Sequence, residues 1–367
     1  MNDPHNTPHN LTIAYFFDWK MDPNLGVPSK VITQCANWQE LNNQVQLVVI
    51  IPFRMKRRWK EAKIDAKLFC YKTTVGRVIA RAKATRFIQS NKFNIIYMRF
   101  GILTPAQIRM IRRNDTFLEL NTIANYEAKN WGFIQRLLFR LSEFFSLKFA
   151  RGLLAVTPEI QDYYSSKYPK IPISNFPNSI DFGVSTPLPL PNNKRANLVF
   201  VGSENRPWHG VDKLELLAQK LPEYDFHIVG ATNKSINLNN VFVYPPLYKE
   251  DLLSLLQKMD LAISSLAMER TAMLQASPLK TRLYLLCGLP VIAGYIDSSC
   301  RENEEFFLYL GTNFNPSSEQ VIKKIHIFVE KWQGKRVSRE FVAHFHPTEI
   351  EQKRIRFLLD TISLPTT

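Results

Sequence analysis

The chain has 367 residues, of which 45% are hydrophobic, so it is long enough for two domains with separate cores and too apolar for a disordered protein. No apolar run approaches the roughly 20 residues that cross a bilayer, and the first ten residues lack the basic start and apolar core of a secretory signal. The net charge of +15 indicates an anionic partner, either a membrane surface or a nucleic acid.

Strand-like apolar runs alternate with helical stretches along the chain, which is the pattern of parallel sheets covered by helices. In the first half the predicted strands are 11–17, 45–51, 94–100, 117–121, 152–156 and 173–175. In the second half they are 198–202, 226–230, 241–244, 260–264 and 290–294. The proline- and asparagine-rich segment 182–197 is predicted to be a linker between a first domain, 1–181, and a second domain, 198–345. The tail, 346–367, is predicted to contain a final helix.

The four cysteines and seven histidines are scattered along the chain and show none of the paired spacings of metal ligands. This pattern favours reduced thiols in the cytoplasm, and we expect neither a metal nor another cofactor.

Most of the net positive charge lies between Arg54 and Lys92, where thirteen lysines and arginines accompany only two acidic residues. Within this region the segment 75–90 has the apolar and basic spacing of an amphipathic helix, which favours an anionic membrane surface as the partner. A core-packed helix with a solvated basic face is an equally good interpretation. Nucleic-acid binding is not expected, because the region contains no recognised nucleic-acid-binding motif.

The segment 274–295 has the local signals of a helix start that can bind an anion. Ser277 is the predicted N-cap, Pro278 the first helical residue and Gly288 the stop, after which a buried strand follows. Free amides at such a start attract a group such as a diphosphate, and Lys280 adds a positive charge. A capped helix without a ligand is the alternative.

Several short sequence motifs occur in a defined order along the chain and add to the evidence from segment 274–295. The strongest is Ser-Pro-Leu-Lys-Thr-Arg at 277–282, followed by Cys-Gly-Leu-Pro-Val-Ile at 287–292. Further blocks lie at 25–30, 96–99, 118–122, 155–159, 176–181, 200–203 and 207–212. Together they resemble bacterial family 4 glycosyltransferases. The resemblance implies the α/β GT-B fold, in which two Rossmann-like, doubly wound parallel-sheet domains face each other across a cleft and the final helix crosses back to the first domain.

The resemblance also implies a function. The expected activity is a retaining glycosyltransferase that moves a sugar from a nucleotide-sugar donor to a glycan or lipid-linked acceptor in surface polysaccharide synthesis. Helix-start amides and a cation can stabilise the leaving diphosphate, so no metal is needed. With the basic region, the expected location is the cytoplasm, including the inner face of the membrane.

Candidate site residues follow from the motifs and from their positions at predicted strand ends. Glu119 and Asn121 are the predicted catalytic residues, and Arg99 and Glu127 the predicted acceptor contacts. For Glu119 a structural hydrogen-bonding role is equally compatible with the sequence. The predicted donor contacts are Gly26, Lys30, Gly202, Ser203, Arg206, His209, Gly210, Gln275, Ser277, Pro278, Leu279 and Lys280.

One departure from the family pattern favours a different function. Members usually carry two glutamates in the donor segment, one facing the sugar and one the ribose, where this chain has Gln275 and Leu283. An amide still bonds a hydroxyl, whereas leucine accepts no hydrogen bond. A catalytically silent GT-B protein that acts as a binding or regulatory partner is therefore the alternative.

Overall fold

A computed structural model describes residues 11–20, 22–23, 26–123, 126, 132–179, 188–232, 236–247, 249–300 and 304–365. The chain divides into two compact units. One contains Met1–Pro177 together with Pro347–Thr367, and the other contains Asn178–His346. In the described residues each unit is built around its own parallel sheet.

The first unit has a seven-stranded sheet in the order β3-β2-β1-β4-β5-β6-β7, as far as the described residues show. The strands are β1 (Thr12–Asp18), β2 (Gln44–Pro52), β3 (Ala66–Tyr71), β4 (Ile95–Arg99), β5 (Thr116–Leu120), β6 (Gly152–Ala155) and β7 (Ile173–Asn175). The helices are α1 (Gly26–Glu40), α2 (Lys56–Glu61), α3 (Thr74–Ser90), α4 (Pro105–Ile111), α5 (Phe133–Ser146) and α6 (Pro158–Lys167), with α12 (Pro347–Ser363) added from the end of the chain.

The central strands of this sheet are almost continuously apolar because helices cover both of their faces. Ile13 and Tyr15 of β1 are buried in one core cluster with Trp38 of α1. The same cluster contains Ile355 and Leu358 of α12, so the end of the chain completes the core of the first unit.

The second unit has a six-stranded sheet in the order β10-β9-β8-β11-β12-β13, again for the part of the chain that is described. The strands are β8 (Asn197–Val201), β9 (Asp225–Val229), β10 (Val241–Tyr244), β11 (Leu261–Ile263), β12 (Val291–Ala293) and β13 (Phe307–Tyr309). The helices are α7 (Val211–Lys220), α8 (Lys249–Leu256), α9 (Leu279–Leu286), α10 (Glu319–Trp332) and α11 (Arg339–Val342).

Part of the predicted linker packs against this second unit. Leu188 donates a backbone hydrogen bond to Cys287, and the Asn193 amide donates to the Asp260 carboxylate. Residues 182–187 lie outside the described residues.

The predicted fold class, with two Rossmann-like doubly wound parallel sheets, is confirmed. Two strands were not predicted, β3 and β13. The side chains of β3 are only partly buried and it lies inside the basic region, whereas β13 has only three residues. Neither has the continuous apolar run by which the other strands can be recognised.

Candidate functional site

The strand order of the second sheet reverses between β8 and β11. These two strands are neighbours although two α-helices and two strands separate them in the chain. In open parallel sheets a ligand binds beyond the carboxyl ends of the strands at such a point. The segments that leave these two strands are 202–210 and 264–278. They contain eight of the twelve residues predicted to contact the donor, so the structure brings the two motif blocks together.

The segment after β8 is a tight turn that requires glycine at two positions. Gly210 has a φ of +70° and provides the left-handed start of α7. A Cβ at Gly202 would lie 2.7 Å from a ring carbon of Phe200 and 2.9 Å from Nδ1 of His209. Glycine at 202 therefore allows these two rings to pack beside the turn.

This turn is fastened to the segment after β11. Leu266 and Ala267 donate backbone hydrogen bonds to the carbonyls of His209 and Trp208, at 3.1 and 3.2 Å. The Arg270 guanidinium donates to the Pro207 carbonyl. These three bonds hold residues 207–209 in a defined position at the end of the sheet.

The start of α9 lies beside this turn, and it is shifted by one residue from the predicted start, so the assignments of both Ser277 and Pro278 were wrong. The N-cap is Pro278 rather than Ser277, and the helix begins at Leu279. The Ser277 hydroxyl accepts hydrogen bonds from the backbone N–H of Asn178 at 2.9 Å and from the Arg282 guanidinium at 3.0 Å. These bonds hold Ser277 outside the helix, and proline has no side-chain acceptor, so the first amides of α9 are left without a side-chain cap.

A cluster of three buried hydroxyls positions this helix start relative to the sheet. Thr281 of α9 lies 2.9 Å from the Ser264 hydroxyl at the end of β11 and 2.6 Å from the Tyr295 hydroxyl beyond β12. The Val201 amide at the end of β8 donates to the Tyr284 hydroxyl of α9 at 2.7 Å. The helix start is therefore bonded to the ends of three neighbouring strands.

Lys280 in the first turn of α9 carries a buried ammonium group. Part of its side chain is exposed, but Nζ is inaccessible and makes no hydrogen bond to any described residue. Nζ lies 4.0 Å from the centre of the Phe200 ring. Burial lowers the pKa of Lys280 well below its ordinary value. Buried ammonium groups are normally paired with an anion, and an anion bound beside Nζ would lower the cost of burying this charge.

His209 is predicted to contact the donor, and the structure makes it a neutral group. Burial, together with the positive charges of Lys280 and Arg206, lowers its pKa to about 2. His209 therefore lies close to both cations but adds no charge of its own. Arg206 is exposed and its guanidinium lies 5.3 Å from the centre of the Trp208 ring.

The two residues that replace the family's glutamates lie in different environments. Leu283 is 5% exposed and packs in the core cluster with Val199 and Leu285. Gln275 is half-buried and forms an isolated β-bridge with Ile296 before α9 begins. Leu283 therefore fills a core position, whereas Gln275 lies in the loop segment next to the helix start.

In the first unit, the predicted catalytic residue Glu119 is completely enclosed by polar partners. One carboxylate oxygen accepts hydrogen bonds from Lys30 and Asn121, both at 2.8 Å. The other accepts from the Tyr97 hydroxyl at 2.8 Å and from Arg354 at 3.2 Å. Burial alone would raise the pKa of Glu119, but the charges of Lys30 and Arg354 outweigh it and hold that pKa far below its ordinary value.

A second buried carboxylate continues this network. Glu351 of α12 accepts hydrogen bonds from Gln34 at 3.0 Å and from the Trp38 indole at 2.8 Å, and it lies 3.0 Å from Nε of Arg354. The tail was predicted only as a helix, so Glu351 and Arg354 were missed. No local spacing signals a pairing between residues so far apart in the chain.

The remaining predicted residues of the first unit lie at the ends of its strands. Gly26 begins α1 with a φ of +49°. Arg99 ends β4, and its guanidinium lies 5.1 Å from the centre of the Trp19 ring. Glu127 lies outside the described residues. The roles assigned to these residues stay predictions.

The described residues contain no group of three His, Cys, Asp or Glu side chains placed to hold a metal ion. None of the helices described is both long and apolar enough to cross a membrane.

Comparison with protein-family models gives no match, and a search of curated protein sequences gives none either. Comparison with solved structures gives several. Sucrose-phosphate synthase from Thermosynechococcus elongatus superposes with a TM-score of 0.71 at 11% identity, covering 96% of this chain and 100% of that chain. Anabaena HepE, solved with UDP and glucose, gives 0.66 at 14% identity with the same coverage.

The lipopolysaccharide outer core galactosyltransferase WaaB, in its apo form, gives a TM-score of 0.63 at 12% identity, covering 95% of this chain and 99% of that chain. All three superpositions extend over nearly the whole length of both chains. The protein thus has the GT-B fold, with the two Rossmann-like parallel-sheet domains of these glycosyltransferase structures.

Proposed function

We propose that the protein is a glycosyltransferase that uses a nucleotide-sugar donor and binds the donor diphosphate at the start of α9. The observation that supports this most directly is the ammonium group of Lys280, which is buried beside uncapped helix amides and has no hydrogen-bond partner in the described residues. A diphosphate would supply the missing negative charge and accept those amides. The structure of Anabaena HepE, which has the same fold, was solved with UDP and glucose.

The other predicted donor residues have roles compatible with this arrangement. Gly202, Ser203 and Gly210 form the turn that would approach the diphosphate with its backbone, and exposed Arg206 can add a second cation. Gln275, before the helix start, can bond a sugar hydroxyl as an amide. In the first unit, Gly26 and Lys30 are proposed donor contacts, although Lys30 already pairs with Glu119 at 2.8 Å.

The proposed reaction retains the configuration of the anomeric carbon. The bond from that carbon to the diphosphate oxygen breaks, and a bond to an acceptor hydroxyl oxygen forms on the same face of the sugar. The acceptor proton passes to the departing phosphate oxygen. The amides of Leu279 and Lys280 and the Lys280 ammonium stabilise the charge that develops there, so the proposal needs no metal or other cofactor.

The acceptor in this proposal is a glycan or a lipid-linked precursor of a surface polysaccharide. Arg99 is a proposed acceptor contact from the first unit. We assign no proton transfer to Glu119, because four hydrogen bonds and two neighbouring cations keep its carboxylate ionised and occupied. Asn121 is bonded to the same carboxylate and is proposed to act near the acceptor.

We also propose that the region from Arg54 to Lys92 contacts an anionic membrane from the cytoplasmic side. Val75, Val78 and Ile79 of α3 are exposed rather than packed in the core, and they lie among basic residues. Phe53 is half-exposed, and the ammonium groups of Lys56 and Lys72 lie 5.6 and 5.1 Å from its ring centre. Exposed apolar side chains bordered by cations are typical of membrane-surface contacts.

Titration of the purified protein with UDP-, GDP- and ADP-linked sugars tests the donor site. We expect one donor class to bind, and Lys280→Met to weaken that binding by about 10- to 100-fold, since a charge-assisted hydrogen bond contributes about 1.5 to 3 kcal/mol. Lys324→Met, at an exposed lysine of α10, is the matched control and should bind as the wild type does.

The silent GT-B protein remains the second candidate, because both family glutamates are replaced, by Gln275 and Leu283. If a folded protein bound none of the three donor classes, the transferase proposal would be abandoned in favour of this alternative. Donor binding without any transfer or hydrolysis of the sugar would support a binding or regulatory role.

A further inference from the structure

Helix α5 exposes its apolar face to solvent. Seven of its fourteen residues are large apolar side chains that are between 41 and 74% exposed. They recur at the three- and four-residue spacing of one helix face. These residues are Phe133, Ile134, Leu137, Leu138, Leu141, Phe144 and Phe145.

The opposite face of α5 is the one that is buried, and it is largely polar. The Ser142 hydroxyl accepts a hydrogen bond from the Leu103 amide at 2.9 Å. Glu143 pairs with Lys167 of α6, and the Ser146 hydroxyl donates to the Ser142 carbonyl. Helices on the surface of a water-soluble domain normally bury the apolar face and expose the polar one. The orientation of α5 is the reverse, so its apolar face is left for a partner.

The surface that α5 forms with two neighbouring helices is predominantly basic. Helix α3 contacts α4, and α4 contacts α5, so the three helices form one layer. Glu143 is the only acidic residue in the three sequences, and it is buried in its pair with Lys167. The exposed cations of the layer and its flanking turns are Lys83, Arg86, Arg109, Arg112, Arg113, Arg136, Arg140 and Lys148.

Cations lie at the border of the apolar face itself. The Lys148 ammonium is 4.6 Å from the centre of the Phe144 ring and 5.1 Å from that of Phe149. The Arg112 guanidinium is 4.5 Å from the Phe149 ring centre. Long basic side chains that lie along apolar surface with their charged ends outward suit the boundary between acyl chains and lipid headgroups.

We propose that α5 is an interfacial helix, whose apolar face enters the outer acyl region of an anionic bilayer and holds the first unit on the membrane. A helix of fourteen residues is about 21 Å long, too short to span a bilayer but suitable for lying in its plane. The basic layer formed with α3 and α4 supplies the attraction to anionic headgroups.

A second copy of the chain fits this surface less well than a bilayer does. A two-fold symmetric contact would place the same basic residues opposite each other, with no exposed acidic residue in the three helices to pair with them. The lipid surface offers the opposite charge and an apolar interior in one partner. The inference is independent of the donor site, because α5 belongs to the first unit and Lys280 to the second.

Vesicle binding by the full-length protein tests the proposal, with phosphatidylcholine vesicles that contain or lack phosphatidylglycerol. We expect binding to the anionic vesicles and little to the neutral ones. The double variant Ile134→Gln/Phe144→Gln should bind anionic vesicles at least about tenfold more weakly, since each side chain contributes more than 1 kcal/mol when buried. Arg136→Glu/Arg140→Glu should reduce the preference for the anionic lipid.

The matched control is Ile327→Gln/Phe341→Gln in the second unit. Its two positions are 56 and 61% exposed, against 71 and 59% at Ile134 and Phe144. This control should bind vesicles as the wild type does. The control and Ile134→Gln/Phe144→Gln should both keep the wild-type melting temperature. If Ile134→Gln/Phe144→Gln is unstable, Phe133→Gln, at a residue 74% exposed, gives a smaller loss in the same direction.

Three results would overturn the proposal. The first is the absence of wild-type binding to anionic vesicles. The second is equal binding by Ile134→Gln/Phe144→Gln and by the control Ile327→Gln/Phe341→Gln. The third is a wild-type dimer that binds no vesicles and that Ile134→Gln/Phe144→Gln converts to a monomer. The titration with nucleotide sugars is carried out without lipid, so the two proposals can fail separately. A protein that binds no donor can still bind vesicles, and a protein that binds no vesicles can still bind the donor.

Discussion

The ammonium nitrogen of Lys280 lies 4.0 Å from the centre of the Phe200 ring. This ring contact offsets part of the cost of burying the charge, since no described residue accepts a hydrogen bond from the nitrogen. A buried cation over an aromatic face gains about 2 kcal/mol, which offsets only part of the cost of removing an ammonium from water. The donor site of the free protein is therefore electrostatically strained, and an anion would relieve that strain.

The first prediction is that Lys280→Met stabilises the protein while it weakens donor binding. Methionine keeps the length and apolar volume of the side chain but removes the buried charge. We expect the free energy of unfolding without donor to rise by roughly 1 to 3 kcal/mol, as measured by chemical denaturation. Lys324→Met on the exposed side of α10 should leave it unchanged. A loss of stability in Lys280→Met would show that Nζ has a partner in solution.

The second prediction concerns pH. Because burial lowers the pKa of Lys280, the unfolded chain holds this proton to higher pH than the folded protein does. Without donor, this group makes stability rise with pH between its folded pKa and about 10.4, the value for an exposed lysine. A bound diphosphate favours the ammonium, so donor affinity should fall as pH rises through the folded pKa of Lys280.

Calorimetric donor titrations in buffers of different ionisation enthalpy measure this directly as net proton uptake on binding. His209, with a pKa of about 2, stays neutral across this range and should not contribute. Lys280→Met should abolish the proton uptake. Donor binding with no linked protonation in the wild type at any pH would contradict the assignment.

Much of the fold and of the donor turn could be predicted because their signals are local. Apolar runs such as 45–51 and 198–202 identify the buried parallel strands, and glycine at 210 with proline at 278 marks the turns at their ends. The assignment of Ser277 as N-cap was wrong, because the contacts of its hydroxyl with Asn178 and Arg282 arise from tertiary structure.

Two features could not be predicted from the local sequence. Glu119 is stabilised by Arg354, which comes from the far end of the chain, and spacing cannot reveal such a pair. The residues of α5 show helical apolar spacing in the sequence, but spacing alone cannot tell whether that face meets a core or solvent. The structure decides this, because it buries Ser142 and Glu143 on the opposite face of α5.

The third prediction tests Glu119 as a structural residue. Glu119→Gln leaves the buried charges of Lys30 and Arg354 without their common partner, and we expect a loss of about 3 to 5 kcal/mol in the free energy of unfolding. The folded pKa of Glu119 lies below the unfolded one, so its contribution is present above about pH 4.3 and is lost as pH falls below that value.

The control for this substitution is Glu61→Gln, which breaks an exposed pair with Arg57 and should cost less than about 1 kcal/mol. Denaturant unfolding measured at neutral pH and again in acid distinguishes the two. The difference between wild type and Glu119→Gln should shrink as the pH falls below about 4. If Glu119→Gln were as stable as Glu61→Gln, the network would not be important for the stability of the first unit.

The fourth prediction concerns Gly202, the first residue after β8. The methyl group of Gly202→Ala would lie 2.7 Å from a Phe200 ring carbon and 2.9 Å from Nδ1 of His209, both closer than carbon normally approaches. Phe200 is buried in the sheet and His209 is held by the backbone bond from Leu266, so neither can move freely. We expect a destabilisation of about 1 to 3 kcal/mol from overpacking.

Donor affinity should fall in the same variant, because a displaced Phe200 ring no longer supports the Lys280 ammonium. The control is Gly101→Ala in the first unit, where an added methyl group meets no atom within 4 Å, and it should change stability by less than about 0.5 kcal/mol. Donor titration and denaturant unfolding on both variants separate the two effects. A Gly202→Ala protein that is destabilised but binds donor with wild-type affinity would place the diphosphate away from this turn, because the cation beside Phe200 could not then be its ligand.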